Sequence, residues 1–146
     1  MNIDELNTVR KISEGVFACL TNELNNFVNS SHERFPISCC EIASILLYKV
    51  LLEEGFKEFD IVEGANSISE LHIWLENKDL VIDLTSHQFE GFHSPLILVN
   101  KDSYPLNKAP YYSKTVIDND RENWPYVKKL EPEFFNSFYN KYFIKI

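Results

Sequence analysis

The chain has little that could hold it together covalently. It carries only 3 cysteines in 146 residues, and two of them, Cys39 and Cys40, are neighbours. That is a poor disulfide framework, and it points to a reducing, cytoplasmic setting. No CxxC spacing is present, and adjacent cysteines seldom chelate one tetrahedral metal, so neither a metal nor another cofactor is expected. Positive charge is also scarce: 14 Lys and Arg stand against 22 Asp and Glu, a net charge of −8. This argues against a protein that neutralises nucleic-acid phosphates or sits on an anionic membrane. No signal peptide is visible, no apolar run is long enough to cross a bilayer, and neither repeats nor low-complexity segments occur.

What the chain does have is apolar substance. Hydrophobic residues make up 45% and charged residues 25%, which fits a globular chain rather than a disordered one. A length of 146 residues suits one domain, 1–146, with a real core. The segment that organises it runs from Phe35 to Phe89. Within it, Ser38 is a good N-cap and Glu41, three residues on, gives the capping-box spacing. Ala43, Leu46, Leu47, Val50 and Leu51 then recur with helical period, and Gly55 is placed to end the helix in a left-handed conformation. Cys39 and Cys40 therefore fall in the first turn of a buried helix. Unpaired N–H groups and the positive end of the helix dipole stabilise a thiolate there.

Leu71 to Glu76 and Leu80 to Thr85 read as two strands of a hairpin. A two-residue turn at Asn77-Lys78 pairs Glu76 with Asp79 and, in the same register, sets His72 directly opposite Asp83. Directly opposed Cβ atoms lie roughly 5 Å apart, within reach of a carboxylate–imidazole hydrogen bond. The pattern predicts a nucleophile, a base and an orienter: one of the adjacent cysteines, Cys39 or Cys40, with His72 and Asp83. Each residue alone also has a structural reading, as a small buried thiol or a satisfied His–Asp pair.

The rest of the chain reads as support. Leu6, Val9, Ile12, Val16, Phe17, Leu20, Leu24, Phe27 and Val28 form an apolar stripe over residues 4–29, one helix or two, with Gly15 as a weak point and Cys19 as a packed thiol. Residues 30–36 are a polar connection whose His32 and Arg34 either lie on the surface or reach the cleft. Phe59 to Glu63 is a short strand closed by Gly64. A loop with His87, Gln88 and His93 follows the hairpin, and residues 96–99 form the last clear strand. Residues 100–127 read as irregular structure with an edge strand, and 131–143 as a final helix whose aromatic face packs on the core. The expected architecture is α+β: N-terminal helices, with the Cys40 helix packed on an antiparallel sheet of about three to five strands.

Three motifs, FPISCCEIAS, HIWLE and IDLTSHQF, resemble a group of small bacterial papain-like or transglutaminase-like proteins, distantly similar to the thiol proteases that process lasso-peptide leaders. Laid on that pattern, Cys40 rather than Cys39 takes the nucleophile position, His72 the base and Asp83 the orienter. Ser38 and Glu41 stand where the pattern has glycines, and an acid at 41 opposes ionisation of the neighbouring thiol. The resemblance implies the fold and the triad; a thiol triad is then expected to perform acyl transfer on a protein or peptide amide through a thioester, as peptidase, glutamine deamidase or transglutaminase. The backbone N–H of Cys40 is one oxyanion donor, and Gln88 either reaches the cleft or braces the loop. The competing expectation is a non-catalytic binding module, a partner or immunity-type protein that keeps the papain-like shell.

Overall fold

The computed structural model describes residues 1–27, 39–66, 71–86, 94–104, 111–116 and 125–143. His32, Arg34, Ser38, His87, Gln88 and His93 lie outside them. The chain begins with one unbroken helix, α1 (Ile3–Phe27). Its start is closed reciprocally: the Glu5 N–H donates to Asn2 Oδ1 at 2.9 Å, and the Asn2 N–H donates to Glu5 Oε1 at 3.0 Å. Val9, Ile12, Val16, Cys19, Leu20 and Leu24 form its buried stripe. Gly15 is not a weak point but a contact. A Cβ there would stand 2.8 Å from the carbonyl oxygen of Tyr142 and 3.2 Å from Phe138 Cε1, so its absence lets the C-terminal turn lie directly on α1.

The second helix, α2 (Cys40–Glu53), is capped by Cys39 rather than by Ser38, and the Cys39 side chain makes no capping hydrogen bond. Its carbonyl accepts the Ala43 N–H at 2.9 Å and so begins the helical ladder one residue later than the capping-box spacing predicts. The helix stops as expected. Gly55 has φ 91°, its N–H bonds the Leu52 carbonyl and the Phe56 N–H bonds that of Leu51, a Schellman closure.

Five strands follow: β1 (Asp60–Asn66), β2 (Leu71–Glu76), β3 (Leu80–Asp83), β4 (Leu96–Asn100) and β5 (Tyr111–Val116). They form one antiparallel sheet in the order β4-β3-β2-β1-β5, a meander whose last strand returns to the far side of β1. β1 runs through Gly64 instead of ending there, because Gly64 pairs with both His72 and Lys114. Helix α3 (Pro125–Ser137) starts six residues before the aromatic stretch at 131 and carries Pro132 inside it, then widens into a π-turn at Phe138–Tyr142.

Strand alternation divides the sheet's side chains between two faces. Ile61, Ile73, Leu75, Ile82 and Leu84 join the core built by α1, α2 and α3 with Phe134, Phe138 and Phe143. Val62, Trp74 and Val81 belong to a second, smaller cluster with Tyr104. His72 shares the face of Trp74, and Asp83 shares that of Val81.

Candidate active site

The β2–β3 hairpin departs from its expected register. Glu76 pairs with Val81 and Leu75 with Ile82, a displacement of two residues from the pairing of Glu76 with Asp79. The cause is local. Asn77 Oδ1 accepts the N–H groups of Asp79 at 2.8 Å and Leu80 at 2.7 Å, and the Asn77 N–H donates to the Leu80 carbonyl at 2.9 Å. This Asx turn puts Lys78-Asp79 at the tip, one residue later than Asn77-Lys78. A displacement of two preserves the side-chain faces, whereas a displacement of one would have reversed them. His72 and Asp83 therefore become diagonal rather than direct neighbours, and diagonal neighbours remain within side-chain reach.

They do meet. His72 Nε2 lies 2.7 Å from Asp83 Oδ2, with both side chains wholly buried. Asp83 is itself held: Oδ1 accepts the Thr85 N–H at 3.0 Å and the Thr85 hydroxyl at 3.4 Å, while Oδ2 also accepts the Tyr104 hydroxyl at 2.5 Å. Across β1 the residue opposite His72 is Gly64, so no β1 side chain stands at that position.

The thiol at the start of α2 meets the imidazole near the start of β2. Cys40 is half-buried, and its side chain lies near enough to the His72 ring to help raise the imidazole pKa. Cys39, one residue earlier and about 100° around a helix axis, is 0% exposed and packs in the main core. One turn beyond Cys40, the Ser44 hydroxyl donates to the Ile73 carbonyl at 3.2 Å, which pins the first turn of α2 to the residue beside His72.

Burial works against a charged imidazole. The Asp83 charge and hydrogen bond, with a further hydrogen bond and charge from Cys40, outweigh it and push His72 from its ordinary 6.5 up to about 9. Cys19 behaves differently: burial, with the Glu23 charge adding to it, pushes its thiol up to about 12, as for a packed core residue.

The structure thus brings together Cys40, His72 and Asp83. Sequence reasoning missed Ser44, Thr85 and Tyr104. Thr85 and Ser44 lie inside the motifs quoted above and were given no task. Tyr104 lies beyond β4 in a stretch without periodicity, and only the β3–β4 pairing brings it to Asp83. Among the described residues no group of three or more His, Cys, Asp or Glu side chains is arranged to hold a metal ion, and no helix is long and apolar enough to cross a membrane. No family model, no curated protein and no solved structure matches this chain.

Proposed function

We propose that the chain is a cysteine-dependent acyl-transfer enzyme acting on an amide of a protein or peptide, with a papain-like or transglutaminase-like fold and Cys40, His72 and Asp83 as its triad. The observation that carries this reading is a buried imidazole bonded to Asp83 at 2.7 Å on Nε2, with the Cys40 side chain acting on the same ring. Cys40 Sγ attacks the amide carbonyl carbon, and the oxyanion that forms is met by backbone N–H groups at the start of α2. The His72 imidazolium then protonates the leaving nitrogen as the C–N bond breaks, leaving a thioester. His72 next takes a proton from water or an acceptor amine, which displaces the sulfur and restores the pair. Asp83 holds the ring with Nδ1 toward the thiol. The reaction so written uses no cofactor or metal. Free cysteines fit work in the cytoplasm, and the net charge of −8 fits a protein substrate better than a nucleic acid or a membrane.

Thiol labelling tests the reading without a known substrate. Cys40 is expected to react with iodoacetamide at about pH 6, where an ordinary thiol of pKa about 8.5 is almost wholly protonated. Cys40→Ala or His72→Ala should remove that reactivity with the fold intact by circular dichroism, and Cys39→Ala should keep it. Slow labelling with ordinary thiol behaviour would instead favour the non-catalytic binding module. Glu41, half-buried and next in sequence to Cys40, stands where the family pattern has a glycine, and that departure fits such a module.

A further inference from the structure

Tyr104 is fully buried, yet its hydroxyl is directed at a charged group of the site rather than at solvent. It closes the short 3-10 turn Lys101–Ser103 that follows β4. Its position is braced from one side. Lys101 Nζ lies 2.6 Å from Glu76 Oε2, and Glu76 Oε1 accepts the Trp74 indole N–H at 2.9 Å. The Trp74 ring in turn packs between the two groups that meet at Asp83, with centroids 5.2 Å from Tyr104 and 5.8 Å from His72. The Tyr104 hydroxyl and His72 Nε2 converge on the same oxygen, Asp83 Oδ2, at 2.5 and 2.7 Å.

We propose that Tyr104 is a positioning residue of the triad, whose hydroxyl, by sharing Asp83 Oδ2 with His72, fixes the carboxylate and limits how tightly the imidazole holds its proton. A carboxylate oxygen that accepts a phenol hydrogen bond has less negative charge to offer a second donor. The groups facing His72 support the assignment. Among the described residues, Asp83 comes from β3, Cys40 from α2 and Tyr104 from the turn after β4, and the β1 residue opposite His72 is Gly64; Glu76 and Lys101 stand one layer back, behind Trp74. An imidazole bound to a bare buried carboxylate would remain protonated far into base. That would make it a poor proton acceptor in the second half of an acyl transfer. The inference deepens the triad reading and rests on it, but its test does not need activity.

The test is an imidazole 15N NMR titration of His72 in the full-length protein, assigned by comparison with His72→Gln. Tyr104→Phe keeps the ring and removes the hydroxyl. The His72 midpoint is expected to rise by about 0.5 to 1 pH unit relative to wild type. The thioester-resolving limb of the pH–rate profile should move up with it once a substrate is in hand. An unchanged or lowered midpoint in a folded Tyr104→Phe protein overturns the proposal and leaves Tyr104 a packing residue. Should Tyr104→Phe not fold, the same titration is run on protein with its 7 tyrosines replaced by 3-fluorotyrosine, a more acidic phenol and a stronger donor. A lowered midpoint then supports the proposal, and an unmoved one overturns it. If Cys40 proves inert to iodoacetamide while the midpoint still responds, the enzymatic reading fails and the control of His72 by Tyr104 stands.

Discussion

The two faces of the sheet are built on opposite principles. On one, Ile73, Leu75, Ile82 and Leu84 meet the helices in a continuous apolar core. On the other, an apolar cluster of Val62, Trp74, Val81 and Tyr104 sits beside His72, Asp83 and Glu76, all buried. The first face needs volume and shape, and volume-conserving exchanges among its aliphatic residues cost less than about 1.5 kcal/mol. The second needs every partner present, because a buried polar group left without one costs about 1 to 3 kcal/mol. Stability alone does not call for such a face, since well-packed apolar residues often serve as well as a buried ion pair or better. Its Asp83 hydrogen-bonds to two other strands or turns at once, and that convergence is what a site requires.

The largest expected effect tests the independence of the faces. Leu46 of α2 is wholly buried in the helical core. Leu46→Ala should lower the stability measured by urea unfolding by about 2 to 5 kcal/mol, and it should leave the His72 imidazole midpoint where it is in wild type. A midpoint that moves with it would mean that the two faces are mechanically one.

The second effect belongs to the polar face and shows in its pH dependence. His72 binds its proton more tightly folded, at about 9 against 6.5, so the proton's contribution is whole below pH 6.5 and drains away as pH rises through about 9. The whole shift is worth on the order of 3 kcal/mol. Urea unfolding in a Cys40→Ala background, which removes the second titrating partner, should show stability falling across that window. Asp83→Asn keeps the burial but removes the charge that offsets it, so the fall should flatten or reverse. Under the acyl-transfer function proposed above, the same substitution in the otherwise unaltered chain favours the wrong tautomer and should slow turnover by at least about tenfold. A slope unchanged by Asp83→Asn would show that another group sets the titration.

The same division explains what was legible in the sequence. Helix α2 and its end could be read because apolar period and Gly55 act locally. The meeting of His72 and Asp83 could be read although the register was wrong by two residues, because facing depends only on parity and the Asx turn moved the tip without changing it. The start of α2 was misplaced by one residue because Ser38 and Glu41 match a capping box in spacing alone, while the helix takes Cys39 as its cap. Tyr104 had no local signature. Its role arises from a contact 21 residues away in sequence, through strand pairing that no periodicity encodes. Gly15 was legible as a glycine but not as a contact, because its partner, the Tyr142 carbonyl, arrives from the opposite end of the chain.

The smallest effect sharpens the comparison most, because it sets two equivalent hydrogen bonds against each other. Ser13 and Ser44 are both buried helical serines whose hydroxyls donate to backbone carbonyls, Ser13 to Val9 at 2.8 Å and Ser44 to Ile73 at 3.2 Å. The Ser13 bond stays within α1. The Ser44 bond joins α2 to β2, one turn from Cys40 on one side and one residue from His72 on the other. Replacing either by alanine removes one neutral hydrogen bond, worth about 1 kcal/mol in urea unfolding. Their effects on the thiol should differ. Ser13→Ala should leave iodoacetamide labelling of Cys40 at about pH 6 unchanged. Ser44→Ala frees the first turn of α2 to shift against the strand, and a displacement of even about 1 Å lengthens a hydrogen bond beyond useful range. Labelling should therefore slow several-fold for a stability loss equal to that of Ser13→Ala. Equal labelling in the two variants would show that the packing of α2 alone holds the sulfur against the imidazole.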